Sequence, residues 1–523
     1  MGLSKIISGA VNGIDAFGVE IEVNLTYTGD PQIVIVGLPD AAVRESQYRV
    51  CSALTNKNFE AFNGRTVVNL APADVRKEGP IFDLPIAIGI ILTSLADNLN
   101  KKKYKLEPAL PLHETAIIGE LSLSGEVRKV KGVLPIAIKL KEMGIKNFLV
   151  PADNANEAAV VNGLNVYPVT NLVHALDVIM GDVDDEPVAY NISDIVSVNE
   201  HKTLDFVDVK GQEMAKRAIE VAVAGGHNIL LVGSPGTGKS MLARRISSIL
   251  PPMSEEEIME ITKIHSIAGK LPPNMPLMVE RPFRSPHHTV SDAGLLGGGT
   301  QPSPGEVTLA HLGVLFLDEL PEFNRKVLEV MRQPLEDGFV TISRVAGSNV
   351  FPSRFILVAA MNPCPCGYSG DLNHNCRCSR QQIQRYRNKV SGPLLDRIDI
   401  HIEVPSTNFT NLQSIPDGAS SADLKMGVDI ARDIQKGRFA GMGSIRTNAD
   451  MGRREISKFC FLDKETSEIM EYAMNEMHYS PRAHDRILKV ARTIADIAQS
   501  ENIRPEHLQE ALQYRALDRT LWV

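Results

Sequence analysis

The sequence predicts an α/β protein: a parallel sheet of phosphate-loop type wrapped by helices, followed by a helical lid and preceded by a separate α/β unit. Three observations carry this. Between residues 204 and 405, apolar runs of strand length (NILLVG, GVLFLDEL, FILVAAMN, DIHIEV) alternate with helical stretches, as in a sheet covered by helices. A glycine-rich segment, GSPGTGKS, lies between the first of these runs and the helical MLARRISSIL. Past residue 405 no comparable strand run occurs, and Lys464 to Met477, Pro481 to Gln499 and Pro505 to Leu517 carry helical apolar spacing, two of them with proline where a first turn accepts it.

In chain order, residues 1–180 read as mixed α/β. QIVIVG (32–37) and TVVNLA (66–71) are strand-like, and the stretches from Leu84 to Leu95 and from Gly132 to Met143 are helix-like. Residues 181–203, acidic and without sustained period, read as a linker. The sheet-bearing core then spans 204–405 and the lid 406–523.

A chain of 523 residues exceeds one domain of about 150 several times over. Its 43% hydrophobic and 23% charged content is that of a folded soluble protein. A net charge of −8 excludes nucleic-acid binding through overall basicity, so such a contact must be local. No apolar run approaches the length of about 20 residues that a membrane helix needs, and the N-terminus lacks a secretory apolar stretch. A cytoplasmic location without membrane contact is expected. Of six cysteines, four crowd into residues 364–378, which is unlike a secreted disulfide framework.

GSPGTGKS runs from Gly233 through Ser234, Pro235, Gly236, Thr237, Gly238 and Lys239 to Ser240. Glycines let backbone N–H groups converge on phosphates, and the helix that follows adds favourable partial charge. Lys239 is placed to reach the β- and γ-phosphates of ATP, and Ser240 to bind Mg²⁺. Downstream, the apolar strand of GVLFLDEL ends in Asp318 and Glu319. Adjacent carboxylates are costly to bury, so they belong at the strand's C-terminal edge, where open α/β sheets bind ligands. Asp318 is expected to hold Mg²⁺, and Glu319 to act as general base on the attacking water.

These motifs, with Asn362 ending FILVAAMN and with LLDRID (394–399), follow the order of an AAA+ ATPase. RPFRSPHHTVSDAGLLGGG, AHLGVLFLDELPEF, MNPCPCGYSGD and SPRAHDRILKVARTIAD extend the likeness over about the whole length. The chain resembles the magnesium-chelatase-like ComM/YifB family, bacterial competence-associated proteins of the helix-2-insert clade. The resemblance implies that Asn362 is sensor 1, Arg397 the arginine finger reaching a neighbouring subunit's nucleotide, and Arg482 sensor 2 on the lid. It implies a homo-oligomer, a hexameric ring. Each of these groups would supply charge or hydrogen bonds where negative charge grows in the transition state.

Residues 1–180 also resemble a Lon-type protease domain, chiefly through GELSLSGEVRKVKGVLPIAIKLKEMGIKNFLVP (119–151). That chemistry needs a serine and a lysine. Ile81 and Phe82 stand where the serine is expected and Leu134 about where the lysine would lie, so the unit reads as proteolytically inert.

The resemblance places two insertions on the core. One, about 264–305, holds Arg281, Arg284, His287, His288 and glycines 297–299; the other is a hairpin before sensor 1 with Arg344 near its tip. Both are candidates for gripping DNA at a pore, with an inter-subunit packing loop as the other reading of each. Residues 377–397 hold Arg377, Arg380, Arg385, Arg387, Lys389 and Arg397 against the single acid Asp396, an excess that suits phosphate contacts, an ordinary solvated face or a nucleotide-facing subunit boundary. Cys364, Cys366, Cys376 and Cys378 form two Cys-x-Cys pairs that can hold Zn²⁺; reduced structural thiols and a redox pair are the other readings. The expected function is a ring-forming ATPase motor acting on branched or single-stranded DNA, with branch migration in recombination and transformation implied by the family. A chelatase-type or protein-remodelling ATPase is the alternative.

Overall fold

Continuous apolar runs become buried strands, and alternating runs become strands with one wet face. The computed structural model describes residues 3–26, 32–59, 64–102, 108–188, 204–272, 275–299, 302–344, 347–371, 374–406, 418–443, 445–477 and 479–517. The chain divides into two units, Met1–Asn199 with Ile258–Val279, and Glu200–Glu257 with Glu280–Val523.

In the first unit the strands are β1 (Leu3–Asn12), β2 (Asp15–Thr26), β3 (Gln32–Val36), β4 (Arg65–Ala71), β5 (Thr115–Ile117), β6 (Glu120–Leu121), β7 (Val127–Arg128), β8 (Asn147–Pro151) and β9 (Asn165–Val169). Seven of them form one mixed sheet in the order β3-β4-β2-β1-β5-β8-β9. β1 and β2 are antiparallel with Asn12 opposite Asp15, a reversal made at Gly13 with φ +65°. β8, all five residues buried, pairs in parallel with β5 and β9. The helix Ala41–Asn56 starts at Asp40, whose carboxylate accepts from Val43 N at 2.7 Å. Ile81, Phe82 and Leu134 are all buried in this unit's apolar core, which leaves no polar group at the places of a serine and lysine. Val188 N donates to Val166 O at 2.8 Å, so the first residues of the expected linker still belong to this unit's hydrogen bonding; 189–203 lie outside the described residues.

The second unit adds β10 (Ile229–Val232), β11 (Phe283–Arg284), β12 (Gly297–Gly298), β13 (Ser303–Pro304), β14 (Val314–Leu317), β15 (Phe339–Arg344), β16 (Gly347–Pro352), β17 (Ile356–Met361) and β18 (Ile400–Glu403). The main sheet is parallel throughout, in the order β11-β14-β17-β10-β18. Every residue of β10, β14 and β17 is buried, as strands covered on both faces require. The stretch expected as one insertion divides: Ile258–Val279 is counted with the first unit, while β11 joins the main sheet and β12 pairs with β13. β15 and β16 form an antiparallel hairpin with Arg344 opposite Gly347; the side chain of Arg344 lies outside the described residues.

The C-terminal part is helical: Ser421–Arg438, Arg453–Phe459, Lys464–Met477, Pro481–Ile497 and Pro505–Gln513. Its Val428, Ala431, Leu488 and Ala491 share one apolar core with Ile229, Leu231 and Val358 of the sheet. No helix among the described residues is long and apolar enough to cross a membrane.

Candidate nucleotide-binding site

Five parallel strands aim their C-terminal ends at one edge, and the residues with nucleotide chemistry stand there. The loop after β10 turns into the helix Lys239–Arg245 with Gly236 and Gly238 at φ +79° and +89°. Nothing lies within 4 Å of where a side chain would begin at either, so the cradle is open and the glycines are needed for its backbone. Lys239 is buried, and its Nζ donates to Gly233 O (2.7 Å), Ser234 O (2.8 Å) and Asn362 Oδ1 (3.3 Å). An ammonium has three donors, so an arriving phosphate must exchange for these partners. Burial pulls the Lys239 ammonium below its ordinary value, against the opposing charge of Asp318.

Ser240 Oγ donates to Asp318 Oδ2 at 2.6 Å. This pair of hard oxygens, one from the loop and one just past β14, fits Mg²⁺: Ser240 and Asp318 would hold the ion, which would neutralise phosphate charge. Glu319 follows in the left-handed region, φ +53°, with its N–H bonded to Asp318 Oδ1 at 2.9 Å. A non-glycine residue in that region beside a candidate site is strain of the kind found at functional positions. Its carboxylate is 56% exposed, and Oε2 lies 3.4 Å from His288 Nδ1. His288 in turn stacks on His287 with centroids 4.1 Å apart and meets Phe323 edge-on. The sequence places both histidines in the stretch 264–305 without linking either to Glu319. An adjacent His-His pair carries no spacing signal, so this contact was beyond its reach.

Arg397 and Arg482 are elsewhere. Both line a cavity of about 480 Å³ that Asn228, Gly313, Ile356 and Asp399 also line. These four stand at or just before the N-terminal ends of β10, β14, β17 and β18, so the cavity is at the sheet edge opposite the phosphate loop. With four to six residues per strand at about 3.3 Å each, roughly 13–20 Å separates the edges. Arg397 pairs with Glu336 and donates Nη1 to Pro393 O at 2.7 Å. Arg482 is exposed, with no ion-pair partner among the described residues. Behind them Asp399 contacts His227 Nδ1 at 3.4 Å and Arg486 Nη1 at 3.4 Å. Burial alone would raise the Asp399 carboxyl, but the hydrogen bond of His227 with the charges of Arg486 and Lys489 outweighs it and holds it well below the usual carboxylate range.

The DNA-facing candidates are less free than their charge suggests. Arg281 donates to Pro251 O and Leu312 O, both at 2.8 Å, and to Glu257 at 2.8 Å, with only 12% of its side chain exposed. Arg284 makes a two-pronged pair with Glu306 at 2.6 and 2.8 Å. In the basic stretch, Arg387 Nε donates to Pro363 O at 3.1 Å and Lys389 pairs with Glu322 at 3.2 Å. Local positive excess is partly spent inside the chain.

The four clustered cysteines do converge. Cys364 Sγ lies 3.3 Å from Cys366 Sγ and 3.7 Å from Cys376 Sγ, and all four sulfurs lie within 4.8 Å of one another. Burial pushes the Cys364 thiol up, whereas backbone N–H groups of Tyr368 and Arg377 draw the Cys366 thiol down.

Residues 205–412 match the family described as magnesium chelatase, subunit ChlI; residues 21–154 match subunit ChlI of Mg-chelatase, and 418–515 its C-terminal part. The chain is 45% identical to the competence protein ComM of Haemophilus influenzae over 526 aligned residues, covering 100% of this chain and 99% of that protein. It is 41% identical to the uncharacterized protein YifB of Escherichia coli, covering 100% and 98%. A magnesium-chelatase subunit ChlI of Euglena gracilis is 27% identical over 32% of this chain and 54% of its own length.

Proposed function

This chain belongs to the ComM/YifB family of magnesium-chelatase-like proteins, and from that premise and the site's geometry we propose that it is a ring-forming AAA+ ATPase that moves DNA. One observation carries the reading: the loop with Lys239, Ser240, Asp318 and Glu319 occupies one edge of the parallel sheet, while Arg397 and Arg482 occupy the other. A single copy cannot bring those arginines to its own nucleotide. A second copy, stacked edge to edge, supplies both, and repetition of that heterologous contact closes a ring, hexameric by family resemblance.

In this reading Lys239 and the loop's backbone N–H groups bind the phosphates of ATP, Ser240 and Asp318 hold Mg²⁺, Asn362 orients the attacking water and Glu319 takes its proton. Arg397 leaves Glu336 for the neighbour's γ-phosphate, an inexpensive exchange because an ion pair with an exposed partner is worth little. Arg482 joins it from the N-terminus of the helix Pro481–Ile497. Zn²⁺ at the four cysteines is part of the same reading.

DNA enters as the substrate because the full-length relative is named a competence protein, and competence concerns incoming DNA. Branch migration of recombining strands is the activity we assign. The Euglena gracilis chelatase subunit aligns with 32% of this chain at 27% identity, against 100% at 45% identity for ComM, and that closer full-length kinship favours the DNA motor over metal insertion. The Lon-like unit then serves as an inert scaffold. Free thiols at every described cysteine suit the reducing cytoplasm. The experiment is ATP turnover and strand exchange on a synthetic four-way junction at two salt concentrations. Salt-sensitive stimulation by branched DNA and ATP-dependent junction movement are expected; stimulation by casein instead, or none by any DNA, contradicts the assignment.

A further inference from the structure

Asn362 follows directly on the central strand β17, and two residues later Cys364 opens an irregular segment that contains all four clustered cysteines. Between Asn362 and the helix Arg380–Arg387 no described residue is in a helix or strand, so hydrogen bonding within regular structure does not fix the segment. Three sulfur separations, Cys364–Cys366 at 3.3 Å, Cys366–Cys376 at 3.6 Å and Cys364–Cys376 at 3.7 Å, are near the edge of about 3.8 Å expected for a tetrahedron of sulfurs about 2.3 Å from one ion. They are far from the S–S bond of about 2.05 Å, and near-equality among three sulfurs is not the pattern of two disulfides. His374 is drawn away: its ring stacks on Tyr368 at 4.7 Å and faces Asp371. The donor set is four thiolates, which selects zinc or iron over harder cations.

The same segment touches the nucleotide site at both ends. Gly367, at φ +86°, packs so closely on Pro235 of the phosphate loop that a side chain there would collide with the proline ring. The helix that begins just after Cys378 returns to Asn362: Tyr386 is buried beside it and bonded to its main chain, and Arg387 Nε holds Pro363 O at 3.1 Å. Asn362 Oδ1 accepts from Lys239.

We infer that one zinc ion held by Cys364, Cys366, Cys376 and Cys378 braces the Asn362 segment against Pro235 of the phosphate loop, so that metal occupancy governs the rate of nucleotide hydrolysis. The inference rests on the reading of the loop as an ATP site and of the cysteines as a zinc site, and adds the coupling between them. Loss of the ion loosens Asn362 and with it the placement of the attacking water. Nucleotide binding persists, because Lys239, Ser240 and Asp318 are carried by β10, its helix and β14.

The brace joins Pro235 and Asn362 in the nucleotide-bound loop as well, and coupling in binding is reciprocal, so nucleotide must hold the zinc. The test uses the full-length protein: metal content after gel filtration, then zinc release to a chromophoric chelator with and without Mg²⁺-ADP, with Lys239→Ala as control. One zinc per chain is expected, released at least about five-fold more slowly with nucleotide, and the control should show no slowing. The double variant Cys376→Ser/Cys378→Ser should lose the zinc, still bind a fluorescent nucleotide but about five-fold more weakly, the same factor in reverse, and hydrolyse ATP at least about ten-fold more slowly, since a misplaced catalytic group costs that much or more. One zinc per chain with a release rate indifferent to nucleotide overturns the coupling and leaves the zinc site standing. Absence of zinc, or iron in its place, overturns both. Should the double variant fail to fold, the release rates on the unaltered chain decide.

Discussion

Arg397 and Arg482 line one cavity at the edge of the five-stranded sheet opposite to Lys239. LLDRID ends just before β18 and SPRAHD opens a lid helix, so chain order alone does not reveal that the two arginines line one cavity. In the proposed reading, their place at that far edge makes the hydrolysis site a property of two copies rather than one.

Lys239→Ala should abolish nucleotide binding while leaving the fold intact. The side chain makes two hydrogen bonds to carbonyls of its own loop and one to Asn362 Oδ1 just past β17, none to a strand it would be needed to support. Titration with a fluorescent ATP analogue, with far-UV circular dichroism as the folding check, measures this.

Glu319→Gln should bind ATP normally and turn it over about 10²- to 10⁴-fold more slowly, the range for removal of a general base. The amide keeps the shape of the residue held at φ +53° and removes only its basicity. Normal single-turnover hydrolysis by this variant would assign the base elsewhere.

His288 Nδ1 lies 3.4 Å from Glu319 Oε2, and in the proposed mechanism it positions that carboxylate. We expect His288→Ala to lower kcat several-fold with KM nearly unchanged, and His288→Gln, which can still donate, to recover much of the loss. A rise in KM without a change in kcat would make His288 a nucleotide contact instead.

Asp399→Asn should destabilise the second unit by about 3–5 kcal/mol at neutral pH, because it leaves Arg486 and His227 facing a neutral amide. The sign follows from the depressed carboxyl. Its contribution is complete above the unfolded value near about 3.9 and disappears as pH falls through the lower folded value. Unfolding curves of the two proteins should therefore differ most near neutrality and converge only in strong acid.

Much of this was legible in the sequence, for reasons that can be named. β10, β14 and β17 are uninterrupted apolar runs, and the turn between β10 and its helix contains three glycines in a fixed spacing. The helix Ser421–Arg438 was not read, because Gly427 and its several charges blur the apolar stripe, although Ser420 and Asp423 form a capping box that marks its start. Residues 258–279 could not be assigned to the first unit from local pattern, since membership there comes from tertiary hydrogen bonds such as Ser266 to Glu157. Arg281 reads as a free cation in sequence and is a buried donor in the fold, a difference made by main-chain carbonyls that sequence does not display.

The shared site is tested most directly by mixing two inactive proteins, Lys239→Ala, which keeps its arginines, and Arg397→Ala, which keeps its nucleotide loop. If Arg397 serves a neighbour, the mixture hydrolyses ATP well above the sum of the separate proteins, because some interfaces pair an intact loop with an intact arginine. A mixture no more active than its components, in assemblies shown to contain both, would contradict the account.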